Sequence, residues 1–155
     1  MKNIFKYILL IIPILIFIIV IYLYFYSSKE YVLDHDYILR ENNSEILLKS
    51  VSTPQEQNLG LGGIDYILDN EGMLFIFSED TRYPFWMKDV KFSLDIIFLD
   101  SNYRVVHISR DADVCNDDCP LYISPVMYRY VIEVKAGITE RFEIEVGDVL
   151  KFDNL

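Results

Sequence analysis

The sequence predicts a mainly β domain, built as a sandwich or a barrel, behind one N-terminal transmembrane helix. Three observations predict this class. Residues 7–26 carry no charged side chain. The rest of the chain contains seven to nine short segments rich in β-branched and aromatic residues, and it has only one or two short helical patterns. About 125 residues are enough for such a domain to bury its own core.

The apolar segment from Tyr7 to Tyr26 has 20 residues, and as a helix it would match the ~30 Å hydrocarbon core of a bilayer. A buried core helix is the alternative, but such helices are rarely apolar on every face. Lys2 and Lys6 precede the segment and no small-residue cleavage site follows it, which favours an uncleaved signal anchor with a cytoplasmic N-terminus.

We therefore expect three parts in the chain. Residues 1–28 form a single-pass anchor in the cell membrane, with residues 4–26 in the lipid bilayer. Residues 29–36 form a linker, and residues 37–155 form a β domain outside the cell. The part from Tyr31 onward holds 11 of the 14 Lys and Arg and 23 of the 24 Asp and Glu, a formal charge of −12. Such an acidic domain repels phosphate backbones, so no nucleic-acid partner is predicted.

The first elements after the linker are a hairpin and a short helix. The segment "YILRENNSEILLKS" has two apolar-rich runs around an Asn-Asn pair, which tolerates the positive φ of tight turns. In the next segment Thr53 can cap a helix, Pro54 suits its first position and Glu56 completes a capping box. Gly60 is the predicted C-terminal stop of this helix.

The remaining chain is predicted as strands joined by loops, with one further helical turn at "GITERF". In "YRYVIEVK" the residues alternate, which places Arg129, Glu133 and Lys135 on the outer face. The segments "FWMK" and "KFSLDIIFLD" are predicted to form a hairpin whose second strand is buried on both sides. The other predicted strands are "MLFIFS", "YRVVHIS" and a pair within "EIEVGDVLKF".

Five motifs occur in the order "TPQEQNLGLGG", "EGMLFIF", "FWMKDV…LDIIFLD", "YVIEV.AG" and "EVGD". Together they resemble an uncharacterised bacterial and archaeal family, the domain of unknown function 192, over roughly residues 45–152. The resemblance implies a jelly-roll-like β-sandwich in a domain that is often exported or membrane-anchored, and it implies no reaction. The sequence departs from the family where Ile64 replaces a basic residue, and where Lys88-Asp89-Val90 replaces a Lys-Asn-Thr-like stretch.

The candidate ligand-binding residues are Trp86, Lys88 and Asp95, with Glu71 and the glycine-rich loop beside them. The functional interpretation is a concave site with an aromatic platform, one cation and one anion. The structural interpretation is a Trp core anchor, a Lys at the rim and an Asp that accepts backbone N–H groups. Both stay open, because a buried carboxylate needs partners in either case.

Cys115 and Cys119 lie in an acidic loop, and a structural disulfide is favoured because the domain is expected outside the cell. Free thiols and a catalytic pair are the alternatives. The carboxylates of this loop suggest calcium, but the EF-hand spacing fails, so a solvated acidic loop is favoured. We predict no catalytic residue, metal or cofactor.

The leading hypothesis is a non-catalytic module of the cell envelope that binds an envelope ligand or a protein partner. The first alternative is an envelope-associated hydrolase that uses a carboxylate such as Asp95 or Glu71. The second is a structural partner domain of a membrane complex. Enzyme status stays open, with binding favoured, because the chain has no Gly-x-Ser-x-Gly motif and His107 lies in a strand-like segment.

Overall fold

The computed structural model describes residues 12–22, 34–41 and 44–153. The chain divides into two compact units, Met1–Glu30 and Tyr31–Leu155. In the first unit, residues 12–22 form a helix, α1, whose side chains are exposed.

The predicted membrane anchor is covered only in part. Among the described residues, no helix has both the length and the apolar character needed to cross a bilayer. Residues 4–11 and 23–26 of the predicted span lie outside the described residues, as do residues 29–33 of the predicted linker.

The second unit contains one β-sheet and two short helices, α2 (Pro54–Leu59) and α3 (Ile138–Arg141). Its strands are β1 (Tyr37–Glu41), β2 (Ser44–Val51), β3 (Glu71–Thr81), β4 (Leu94–Leu99), β5 (Val105–Ala112), β6 (Tyr128–Lys135) and β7 (Lys151–Asp153). Their order in the sheet is β5-β4-β6-β3-β2-β1-β7. All neighbours are antiparallel except β2 and β3, which are parallel and are connected through α2.

The prediction of a mainly β fold with short helices is confirmed, and its architecture is now defined. The seven strands form one sheet rather than two facing sheets. Arg104, next to β5, makes an isolated bridge with Val149, next to β7, and the N–H of Val105 donates to the Asp148 carbonyl at 2.8 Å. In the described part of the chain no ladder joins the two edge strands, so the barrel is not closed.

The local predictions at the start of the domain are confirmed. β1 and β2 pair as an antiparallel hairpin. The capping box of α2 is complete, because the Thr53 hydroxyl accepts from the Glu56 N–H and the Glu56 carboxylate accepts from the Thr53 N–H. The helix ends at Gly60, whose φ of +51° lies in the region that favours glycine.

Two strand predictions are wrong. Residues 84–93 form no ladder with β4, and their only bridges within the described chain lead to the 113–127 loop. The segment "EIEVGDVLKF" holds one strand, β7, because residues 143–150 turn back toward β5. The central position of β4 is confirmed, since it lies between β5 and β6 and all six of its residues are buried.

Apolar side chains cover both faces of the sheet. The group that we call the cleft-side core consists of Val51, Leu61, Ile67, Met73, Phe75, Phe85, Met87, Val90, Leu94, Ile96, Phe98, Ala112, Tyr128 and Val131. The group that we call the α3-side core consists of Leu39, Ile46, Leu48, Leu74, Ile97, Leu99, Val105, Ile132, Val134, Ile138, Phe142, Ile144 and Leu150. Both cores lie within Tyr31–Leu155, so this unit has the buried apolar side chains that independent folding requires.

Candidate functional site

A cleft opens on the cleft-side core, and its volume is about 490 Å³. One wall is α2 with the residues that follow it, and another is the segment before β4. The floor comes from β3 and β6. The lining residues are Pro54, Gln57, Asn58, Leu59, Gly60, Leu61, Phe75, Phe77, Tyr83, Pro84, Phe85, Trp86, Lys88, Val90 and Glu133.

Five aromatic side chains form what we call the aromatic wall of this cleft: Phe75, Phe77, Tyr83, Phe85 and Trp86. The Phe85 ring packs edge-on against Phe75 with centroids 5.1 Å apart, and also against Phe77 at 6.5 Å. Tyr83 lies 6.2 Å from Phe77. Trp86 is 42% exposed and lies at the rim. The rings of the wall therefore pack against one another near the floor, and the wall is accessible at the mouth.

The segment that carries Trp86 and Lys88 is held by the 113–127 loop. Phe85 and Tyr122 exchange two backbone hydrogen bonds of 2.9 and 2.8 Å, and Lys88 makes an isolated bridge with Cys115. Phe85 and Met87 point into the core. Trp86 and Lys88 alternate with them along the chain and point outward. This alternation places the two predicted residues at the cleft, although no hairpin with β4 forms.

Glu133 lies in the cleft, where the sequence did not place a functional residue. It is only 4% exposed, and its cross-strand neighbours are Met73 and Ile96 of the cleft-side core. Within the described residues its carboxyl group makes no hydrogen bond and no ion pair. Burial raises the pKa of the Glu133 carboxyl from its ordinary value of 4.5 to about 8. The group is therefore mostly protonated at pH 7, and it lines the cleft.

Gly60 leaves space beside this carboxyl. A Cβ atom at Gly60 would stand 3.8 Å from Oε2 of Glu133 and 3.3 Å from Cζ of Phe75. The glycine that ends α2 thus lies next to both the acid and the Phe75 ring.

Asp95, the third predicted residue, points to the opposite face. Its cross-strand neighbour is Val134 of the α3-side core. Its Oδ1 accepts from the Asp111 N–H at 3.1 Å, and its Oδ2 accepts from the N–H and the hydroxyl of Thr139 at 3.0 and 2.7 Å. Asp95 therefore satisfies the start of α3, where Gly137 offers no side-chain cap, and it does not line the cleft.

Glu71 also lies away from the cleft. It is 1% exposed, and its Oε2 accepts from the Leu68 N–H at 2.8 Å. Its Oε1 is 3.3 Å from Nε2 of His35, close enough for an ion pair but without hydrogen-bond geometry. Glu71 thus ties the start of β3 to the residues before β1.

Cys115 and Cys119 form a disulfide, as predicted. The acidic side chains around it do not converge, because the described ranges contain no group of three or more His, Cys, Asp or Glu side chains able to hold a metal ion. The disulfide closes a short ring in the loop, and Cys115 of this ring makes the backbone bridge with Lys88.

Sequence reasoning missed Glu133 because alternation alone assigned it to the outer face with Arg129 and Lys135. That face of β6 is covered by the cleft-side core at Val131 and lines the cleft at Glu133. A signal was present, since Glu133 stands in the "YVIEV.AG" motif that carries the family resemblance.

Comparison with known proteins agrees with that resemblance. The family model DUF192, described as an uncharacterized ACR, matches residues 37–152. The UPF0127 protein PH1112 of Pyrococcus horikoshii is 34% identical over 85 residues, which are 52% of this chain and 67% of that protein.

Two crystal structures share the fold. One is a protein of unknown function from Novosphingobium aromaticivorans, at 25% identity and a TM-score of 0.66, with 74% of this chain and 82% of that chain covered. The other is a proposed transcription regulator from Sinorhizobium meliloti, at 24% identity and a TM-score of 0.69, with 77% and 93% covered.

Proposed function

The chain belongs to the family of the domain of unknown function 192, and we propose that its β domain is a non-catalytic ligand-binding module of the cell envelope. The ligand site is the cleft between α2 and the aromatic wall. One observation carries this proposal: Glu133 is buried in the cleft with no bonding partner among the described residues. Burial of an unpaired polar group costs free energy, and a bound ligand that bonds to it would offset that cost.

The dimensions of the cleft support a small-molecule ligand. A volume of about 490 Å³ falls within the range of roughly 300–1,000 Å³ that is typical of ligand sites. The lining is mostly apolar and aromatic, with few polar groups that would fix an orientation. This composition is also typical of such sites.

Binding is favoured over hydrolysis by the chemistry of the lining. Among the described residues that line the cleft there is no Ser, Cys or His side chain that would act as a nucleophile or as a base next to one. Asp95 and Glu71, which the hydrolase alternative requires, lie outside the lining and are bonded to backbone groups. Among the described lining residues Glu133 is the only acid, so the cleft lacks the second carboxyl group of an acid–base pair.

We also propose that residues 4–26 anchor the chain in the membrane and that the β domain lies outside the cell. The uncharged apolar segment and the basic residues Lys2 and Lys6 support the anchor. The Cys115–Cys119 disulfide supports an oxidising compartment, since such bonds are rare in the cytosol.

Thermal-shift measurements with a small-molecule panel on residues 31–155 test the binding site. A ligand of the cleft should raise the Tm of the wild type and lose its effect in Trp86→Ala and in Glu133→Gln. The matched controls are Tyr66→Ala, since Tyr66 is 39% exposed and outside the cleft, and Glu140→Gln on the surface of α3. Ligands whose stabilisation survives both cleft variants would place the site elsewhere and refute the proposal.

A further inference from the structure

The unpaired groups of the cleft define a class of ligand. We infer that the ligand is a small zwitterion in which an apolar or aromatic body separates an ammonium group from an anionic group. The ammonium group bonds to Glu133 inside the cleft, and the anionic group meets Lys88 at its rim. This inference rests on the proposed function, because it assumes that the cleft is the ligand site.

Glu133 favours a cation over a neutral donor or acceptor for two reasons. First, the aromatic wall lines the same cleft as its carboxyl, and aromatic faces attract cations. Second, the part of the chain from Tyr31 onward has a formal charge of −12, which concentrates cations near its surface. An ammonium group beside Glu133 would form a charge-assisted bond in a site that excludes most water.

Lys88 provides the opposite charge. Its side chain is exposed, lines the cleft and has no ion pair within the described residues, whereas Lys49, Lys91 and Lys135 each pair with an aspartate. Lys88 and Glu133 line the same cleft and do not pair with each other. A ligand with one charge of each sign, separated by its body, would satisfy both groups at once.

The body of the ligand is defined by the other side chains that line the cleft. They include Phe77, Tyr83 and Phe85 of the aromatic wall, together with Leu59 and Val90. These side chains stack on rings or pack against alkyl chains, and they offer few hydrogen-bonding groups. The body is therefore a ring or a short hydrocarbon chain rather than a polar scaffold such as a sugar.

Four related probes separate these contributions: para-(aminomethyl)benzoate, benzylamine, benzoate and benzyl alcohol. Binding to residues 31–155 is followed by the fluorescence of Trp86, the only tryptophan of the chain, and by titration calorimetry. The zwitterion should bind most tightly, benzylamine about tenfold more weakly, and benzyl alcohol about tenfold more weakly again, as charge-assisted bonds of ordinary strength imply. Benzoate should bind more weakly than the zwitterion, because it offers an anionic group to Lys88 but no ammonium group to Glu133.

Two variants assign each contribution. Glu133→Gln should abolish the advantage of benzylamine over benzyl alcohol, and Lys88→Met should abolish the advantage of the zwitterion over benzylamine. Lys151→Met is the matched control for lysine, because Lys151 is exposed on β7, outside the cleft lining. Glu140→Gln is the control for glutamate. Neither control should change the order of the four probes.

Proton release distinguishes a cation from a neutral acceptor. The acid is protonated at pH 7, so an ammonium group must displace its proton to the buffer, whereas a carbonyl would bind the protonated form and release none. Calorimetry in buffers of different ionisation enthalpy should show nearly one proton released with benzylamine. The other titratable groups in the lining are Lys88 and Tyr83, and the cross-strand neighbours Met73 and Ile96 do not titrate.

The outcomes separate this inference from the proposed function. One outcome would overturn the zwitterion but keep the cleft as a ligand site. In that outcome all four probes bind equally, their binding is unchanged in Glu133→Gln and Lys88→Met, and calorimetry shows that it is lost in Trp86→Ala. Tighter binding of benzoate than of benzylamine would overturn it as well. Binding of no probe, combined with panel ligands whose stabilisation survives both cleft variants, would overturn the proposed function together with the inference.

Discussion

Replacing Glu133 with glutamine should stabilise the domain at neutral pH, because it removes an ionisable group from the interior. Glutamine keeps the shape of the protonated acid and cannot ionise. The wild-type carboxyl is 4% exposed and has no partner among the described residues. Its proton is therefore retained in the folded state and lost in the unfolded state at pH 7.

The magnitude follows from the shift in pKa between the two states. Burial raises the pKa of Glu133 from 4.5 to about 8, and each unit corresponds to about 1.4 kcal/mol. The stability contributed by the protonated acid is fully present below about pH 4.5 and is lost as the pH rises toward about 8. At pH 7 the wild type should therefore be about 3 kcal/mol less stable than Glu133→Gln, and near pH 4 the two should be equal.

Urea unfolding of residues 31–155 at pH 4, 5, 6, 7 and 8 provides the measurement. The difference in the free energy of unfolding between variant and wild type should grow by about 1.4 kcal/mol per pH unit between pH 5 and pH 7. Other titrating groups are common to both proteins and cancel in the difference. Glu140→Gln, on an exposed position, should show no such slope. A difference that stays constant across this range would refute the assignment of Glu133 as a buried neutral acid.

Three further changes test the structural assignments. Asp95→Asn places an amide against buried donors and should cost about 3 kcal/mol in urea unfolding without changing probe binding in the cleft; a weakened cleft would contradict its placement on the other face. Cys115→Ser combined with Cys119→Ser should cost about 2 kcal/mol, as loop entropy gives for a five-residue ring, and reductant should then have no further effect on the Tm. Gly72→Ala should lower the Tm and cost about 3 kcal/mol, because its Cβ would stand 2.6 Å from the Glu133 carbonyl oxygen; an unchanged Tm would show that the two strands separate easily.

The elements that sequence predicted correctly are those whose signals are local. The capping box of Thr53 and Glu56 lies within four residues, and the β1–β2 hairpin needs only the turn between its strands. β6 has the predicted bounds, because its alternation is set by the pleat. The disulfide closes a ring of five residues, so its geometry also depends little on the rest of the fold.

The elements that sequence did not predict depend on distant partners. β2 pairs in parallel with β3, and β6 lies between β3 and β4, so the sheet order cannot be read from neighbouring segments. Residues 84–93 have the apolar alternation of a strand, but they use it to cover the cleft-side core and bridge to Tyr122 and Cys115. Periodicity predicts which face of a strand a side chain lies on, but it does not predict what packs against that face.

Two buried carboxyl groups on opposite faces of this sheet differ in how the fold satisfies them. Asp95 and Glu133 are both buried, and both lie on central strands, β4 and β6. Asp95 has three donors arranged around it, so the fold already satisfies its carboxyl oxygens. Glu133 has none among the described residues and faces a cleft, so the fold retains an acid that its own residues do not stabilise. A group of the first kind is explained by the stability of α3, whereas the second is the group on which the proposed ligand site rests.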